Sequence, residues 1–203
     1  MNTWQDTHFF WGKYSPFVSL GSAVLLIVAS ARIVFAMVCS LALLWVYVFV
    51  MAAAKAGGNY FPVWGRNAVL LFISSLASAL FLLLLWIFDP VLALESTFFI
   101  FLVPLVFCTS KLCDRVLEYD ILEVLSQALS EALLLGVLIL GISLVREPLG
   151  FGSISAPGLG IIRFTLEEPL QFIQATSGGL IILGYIIAVY RHFRNRYNPL
   201  GGN

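Results

Sequence analysis

The chain has 203 residues, 61% hydrophobic and 11% charged, with 11 Lys and Arg balanced by 11 Asp and Glu, and its mean hydropathy is +0.99. A soluble domain of this length has too little interior to hide so much apolar surface, so the composition excludes that class and points to an integral membrane protein. Zero net charge, with no basic tail long enough to suggest it, argues against a nucleic-acid surface, and Cys39, Cys108 and Cys113 make neither a disulfide scaffold nor a paired-CxxC zinc site.

The opening stretch, MNTWQDTHFFWGKYSP, mixes polar and aromatic side chains where a signal peptide carries a basic region. No small-residue cleavage pattern follows, so the first apolar stretch is expected to stay as a span. Spans are read from stretches free of charge, because a charge at the bilayer centre is costly and a backbone crossing lipid must be helical. No charge falls between Lys13 and Arg32, between Arg32 and Lys55, or between Arg66 and Asp89. These stretches give spans one to three, the first of them short against the roughly 20 residues that a crossing takes. Span four, Ser96 to Ser110, is shorter still and contains Pro104, so it crosses only if broken, tilted or extended past Glu95. Span five runs from about Val124 to Val145 and span six lies within Pro169 to Tyr190. The stretch between them, Arg146 to Gly179, reads as the longest loop, its turns set by Gly150, Gly152, Pro157, Gly158 and Gly160. Arg146 and Glu147 are expected to end span five and organise this loop. Its Gly-Phe-Gly lacks the strand, helix and full glycine pattern of a dinucleotide site.

If six spans alternate, Lys13, Lys55, Arg66, Lys111, Arg115, Arg191, Arg194 and Arg196 share one side, against Arg32, Arg146 and Arg163 on the other. The bias of basic residues puts the first group, and both termini, in the cytoplasm. Trp11, Tyr14, Trp64, Trp86, Tyr190 and Tyr197 fall near span ends, as interfacial aromatics do. The expected fold is therefore an all-α membrane protein in one domain, residues 1–203. Each half opens with a short span, and three spans per half invert the second against the first, so repeat one covers about 11–88 and repeat two about 92–194. Short or proline-interrupted segments at matching positions are the mark of discontinuous helices meeting near the midplane.

Few residues carry candidate chemistry. Cys108 and Cys113 are five apart, about 500° around a helix, so they do not share a face. Either alone reads as a small buried hydrophobe, with a metal site shared with another subunit as the alternative. Glu131 is the carboxylate well inside an apolar span, with Gln127 one turn earlier on its face. It reads either as part of an ion path or as a contact near the cytoplasmic end. His8 and His192 lie in the terminal regions, His192 within the basic cluster RHFRNR.

Four segments, FWGKYSPFVSLGSAVLLIVAS, FIFLVPLVFCTS, SLVREPLGFGSIS and SGGLIILGYIIAV, taken in this order and spacing, resemble the Rnf/Nqr integral-membrane subunit family, RnfE/NqrD type. The resemblance covers about Trp11 to Arg196. It implies a subunit of an inner-membrane complex that couples oxidation of ferredoxin or NADH to translocation of sodium ions or protons. It also implies a homologous RnfA/NqrE-like partner and, shared with that partner, a two-iron two-sulfur cluster with one cysteine from each short first helix. Here the chain departs from the family, because the first ligand position falls on Val24 and the second on Ser110. Cys108 lies two residues early, about 200° around a regular helix, and Cys113 three late. The departure implies that the subunit is structural or that its cluster binding is altered, and no cofactor is expected in the isolated chain. A small-solute or ion transporter on the same inverted-repeat scaffold, without redox chemistry, is the alternative. No catalytic set of nucleophile, base and orienting group is evident.

Overall fold

A computed structural model describes residues 22–57, 65–109, 121–156, 160–163 and 171–197. In chain order these form α1 (Ala23–Leu26), a 3₁₀ turn (Ala29–Ala31), α2 (Ile33–Gly57), α3 (Arg66–Phe88), α4 (Pro90–Thr109), α5 (Ile121–Phe151), β1 (Ser153–Ala156), β2 (Gly160–Arg163), α6 (Gln171–Gln174) and α7 (Thr176–Tyr197). The protein is nearly all helical, and among the described residues four helices, α2 to α5, are long and apolar enough to cross a membrane. Part of the expected all-α loop is instead a small antiparallel hairpin, with Ser153 opposite Arg163 and Ala156 opposite Gly160.

Helix α2 is the hub. Its buried residues, among them Ala36, Cys39, Leu43, Val46, Tyr47 and Val50, lie on more than one face, and it packs against α3, α4 and α5. An apolar helix without a polar stripe belongs inside a bundle or a bilayer. Its antiparallel crossing with α5 is close because Gly136 has no side chain: a Cβ there would lie 3.2 Å from Cβ of Ser40. The Ser40 hydroxyl donates to Ala36 O at 2.7 Å within its own helix and to Gly136 O at 3.3 Å across the crossing. Tyr47 meets Phe107 of α4 edge to face, with centroids 5.1 Å apart.

Helices α3 and α4 form a hairpin turned by one residue. Asp89 N–H donates to Leu85 O at 2.9 Å, closing α3, while Asp89 Oδ1 accepts from the N–H groups of Val91 and Leu92, both at 3.1 Å, opening α4. Pro90 follows at the first helical position, where its missing N–H costs nothing. Of the three routes open to span four, the structure takes extension. Helix α4 runs 20 residues from Pro90 with Pro104 inside it, and Glu95 is exposed on its surface.

One further expectation meets a correction. Arg146 and Glu147 do not end span five, because α5 continues to Phe151 with Pro148 inside it. It stops where Gly152 turns to φ 61° and donates its N–H to Pro148 O at 3.0 Å, the left-handed ending that glycine adopts most readily. The stretch expected as span six is divided at Ala175 between α6 and α7. Most of span one lies outside the described residues. From Ser22 onward the chain is not one helix but α1, the 3₁₀ turn and an extended Arg32 at φ −132°, ψ 146°.

Candidate functional site

At the end of α5 two adjacent charged residues are buried, Arg146 at 1% exposure and Glu147 at 2%. Buried charge is tolerated where every polar atom finds a partner. Arg146 Nε donates to Ile173 O and Nη2 to Gln174 O, each at 2.9 Å. Nη1 donates to Ile27 O at 2.9 Å and to the Ser30 hydroxyl at 3.0 Å. Ser30 Oγ in turn donates to Ile27 O at 2.7 Å. Ile27 caps α1, and Ile173 and Gln174 close α6. The last carbonyls of a helix have no partner of their own and carry partial negative charge, so the guanidinium serves as a common cap for two short helices. The planar fork of arginine, with five N–H donors, suits this work.

Glu147 performs the complementary task. Its Oε2 accepts from Ile33 N–H at 2.7 Å, an unpaired donor at the start of α2. Its Oε1 accepts from Ser155 N–H at 2.6 Å in β1. Arg32, exposed beside this cap, places its guanidinium over the Phe151 ring, 5.4 Å from the centroid. Two glycines make room for the arrangement. A Cβ on Gly179 would lie 3.1 Å from Arg146 Nη1, and one on Gly178 would lie 2.6 Å from Phe172 O.

The organising role expected of Arg146 and Glu147 thus takes concrete form, with partners that the sequence does not announce. Ser30 leaves one trace, a small polar residue in an apolar run. The carbonyls of Ile27, Ile173 and Gln174 leave none, since every residue has one. The adjacent glycines Gly178 and Gly179 are the signal in the sequence of this close approach.

The other singled-out residues lie elsewhere. Glu131 is buried in α5 at 5% exposure, four turns before Arg146, about 22 Å along the helix. Gln127 is half-buried one turn earlier. Cys39 is fully buried in α2, Cys108 half-buried in α4, and His192 exposed in α7. Val24, 43% exposed in α1, has no donor atom to offer a metal. Ser110, Cys113 and His8 lie outside the described residues. The donor set in view does not fit a four-thiolate cluster, which needs sulfur at each position; among the described residues no three His, Cys, Asp or Glu side chains gather as a metal site.

No family model matches the chain. An uncharacterized protein of Treponema pallidum (strain Nichols) is similar, 37% identical over 68 residues that make up 32% of this chain and 34% of that protein. The matched stretch thus spans about a third of that relative's length.

Proposed function

We propose that this chain is a membrane subunit of an Rnf/Nqr-like electron-transport complex in the inner (cytoplasmic) membrane, where it serves as scaffold beside a homologous RnfA/NqrE-like partner. In this reading the complex couples oxidation of ferredoxin or NADH to ion translocation, the chain crosses six times as two inverted three-helix repeats, and both termini face the cytoplasm. The observation that carries the proposal is the buried Arg146–Glu147 pair. It ties together three of the four segments on which the resemblance rests: the end of the first through Ile27 and Ser30, its own SLVREPLGFGSIS through Ser155, and the start of the last through Gly179. The packing of α1 on α4 and of α2 on α5 is further support, since each pairs elements that correspond under the inverted repeat.

Val24 without a donor atom and Cys108 half-buried favour a scaffold over an electron carrier. The test is anaerobic purification of the intact complex from native membranes, with iron counted and paramagnetic resonance recorded for wild type and Cys108→Ser. The expected result is co-purification with flavin or iron-sulfur subunits and an iron content that the substitution leaves unchanged. A chain that reproducibly purifies alone overturns the assignment to a complex. A membrane-embedded cluster signal lost in C108S with assembly intact overturns the scaffold role and puts the subunit in the electron path.

One observation favours a second reading, an ion or small-solute transporter: the burial of Glu131 inside an apolar span. Ion uptake by the purified chain in liposomes, with no redox donor present and lost in Glu131→Gln, is the result that selects it.

A further inference from the structure

The described part of the basic C-terminal helix has features that the scaffold role does not use. Helix α7 begins against Arg146, where Gly179 adjoins the guanidinium, buries Leu183, and continues without interruption through RHFRNRY to Tyr197. Its charge-free part, Thr176 to Tyr190, rises only about 22 Å at 1.5 Å per residue, whereas the hydrocarbon core of a bilayer is about 30 Å thick. A helix that short brings its next residues to the depth of the lipid phosphates rather than into bulk water. Those next residues are Arg191, His192, Arg194 and Arg196, with no acid among them. Arg191 and His192 are exposed, and Phe193 beside them is 46% exposed, an arrangement of cation and aromatic ring that suits the membrane interface.

We propose that the basic end of α7, which begins at the exposed Arg191 and continues in sequence as RHFRNR, is a docking surface for anionic phospholipid headgroups at the cytoplasmic face that fixes the depth of the helix in the bilayer. Guanidinium groups pair with phosphate through two parallel hydrogen bonds, and each basic residue near an anionic surface contributes about a fivefold gain in affinity. The inference rests on reading α7 as a membrane helix and is independent of the redox assignment.

The experiment uses the full chain in nanodiscs of phosphatidylcholine alone or mixed with phosphatidylglycerol. Retained lipids are counted by native mass spectrometry for wild type, for Arg191→Gln alone, and for the triple variant R191Q/R194Q/R196Q. The expected result is selective retention of phosphatidylglycerol, weakened roughly fivefold by the single substitution and abolished by the triple one, with lysine replacements restoring most of it. The single variant keeps the test open if the triple variant fails to insert. Equal retention of both lipids by wild type, or unchanged selectivity in the single variant, overturns the proposal. Inorganic phosphate displacing the lipid at matched concentration also overturns it, since the site would then be a free-anion site. A fluorophore at Tyr185→Cys, in a chain whose native cysteines are serine, separates the two premises. Absence of quenching by acyl-brominated lipid removes α7 from the membrane, and the proposal with it. Quenching without headgroup selectivity leaves the span intact and refutes only the docking surface.

Discussion

Replacing Arg146 tests whether a buried cation holds this fold at one end. Arg146→Met keeps most of the volume and removes every donor, so Ile173 O and Gln174 O lose the guanidinium, while Ile27 O keeps the Ser30 hydroxyl and the Ser30 N–H. A buried carbonyl left without a partner costs about 1–3 kcal/mol, and the two carbonyls of Ile173 and Gln174 bring the expected loss to roughly 2–6 kcal/mol. That is a large share of a typical folding free energy of about 5–15 kcal/mol. Arg146→Lys retains the charge, but a single ammonium cannot reach acceptors spread around a planar fork. It is expected to lose at least one charge-assisted bond, roughly 1.5–3 kcal/mol. Stability is read by unfolding in detergent with increasing SDS, and local effects by hydrogen exchange. The protection lost should concentrate at the junction of α6 and α7 and at Ser30, leaving the α3–α4 hairpin untouched. Stability of R146M within about 0.5 kcal/mol of wild type, which is the ordinary range for a neutral surface change, would refute the capping role.

Gly136→Val should cost about 1–3 kcal/mol by overpacking the α2–α5 crossing, because its first added atom already meets Ser40 at 3.2 Å; the same unfolding assay reads it, and Gly141→Val, where a Cβ meets nothing within 4 Å, is the control. Asp89→Ala removes the side-chain cap of α4 and should cost about 1 kcal/mol, while Asp89→Asn, which keeps an acceptor oxygen, should cost less; equal losses would contradict the cap. Engineered cysteines at Gln5, Tyr60, Gly160 and Leu200 test the proposed topology in intact cells, where only the one at Gly160 should be protected from a cytoplasmic reagent. Labelling of that site from the cytoplasm refutes the six-span arrangement.

Much of the helical frame is legible in the sequence, because charge-free stretches report the cost of carrying charge into lipid. The spans expected between Arg32 and Lys55, and between Arg66 and Asp89, correspond closely to α2 and α3. Helix ends are harder to read. Pro104 sits inside α4 and Pro148 inside α5, since a proline removes one backbone bond and neighbouring contacts decide whether the helix survives the loss. The pair Arg146 and Glu147 looks like a helix terminus by charge alone. Burial reverses that reading, because inside a packed junction the same charges serve as caps for other elements. Glu131 is recognisable from the sequence as a carboxylate inside an apolar helix. Its burial needed the packing, as period alone does not say which face of an apolar helix turns inward.

The adjacency of Arg146 and Glu147 has a physical reason. Consecutive residues on a helix point about 100° apart, so one turn of α5 presents a donor set to one side and an acceptor set to another. The short helices α1 and α6 end close to it with carbonyls that the guanidinium caps, while α2 begins beside it with an N–H that the carboxylate accepts. Buried backbone groups outside a helix are tolerated only where protein satisfies them, and here a single Arg–Glu step satisfies breaks in two separate stretches of the chain. The order of the two residues matters for the same reason. Exchanging them would aim a carboxylate at three carbonyl oxygens and a guanidinium at two N–H groups, turning each attraction into a repulsion while leaving the composition unchanged.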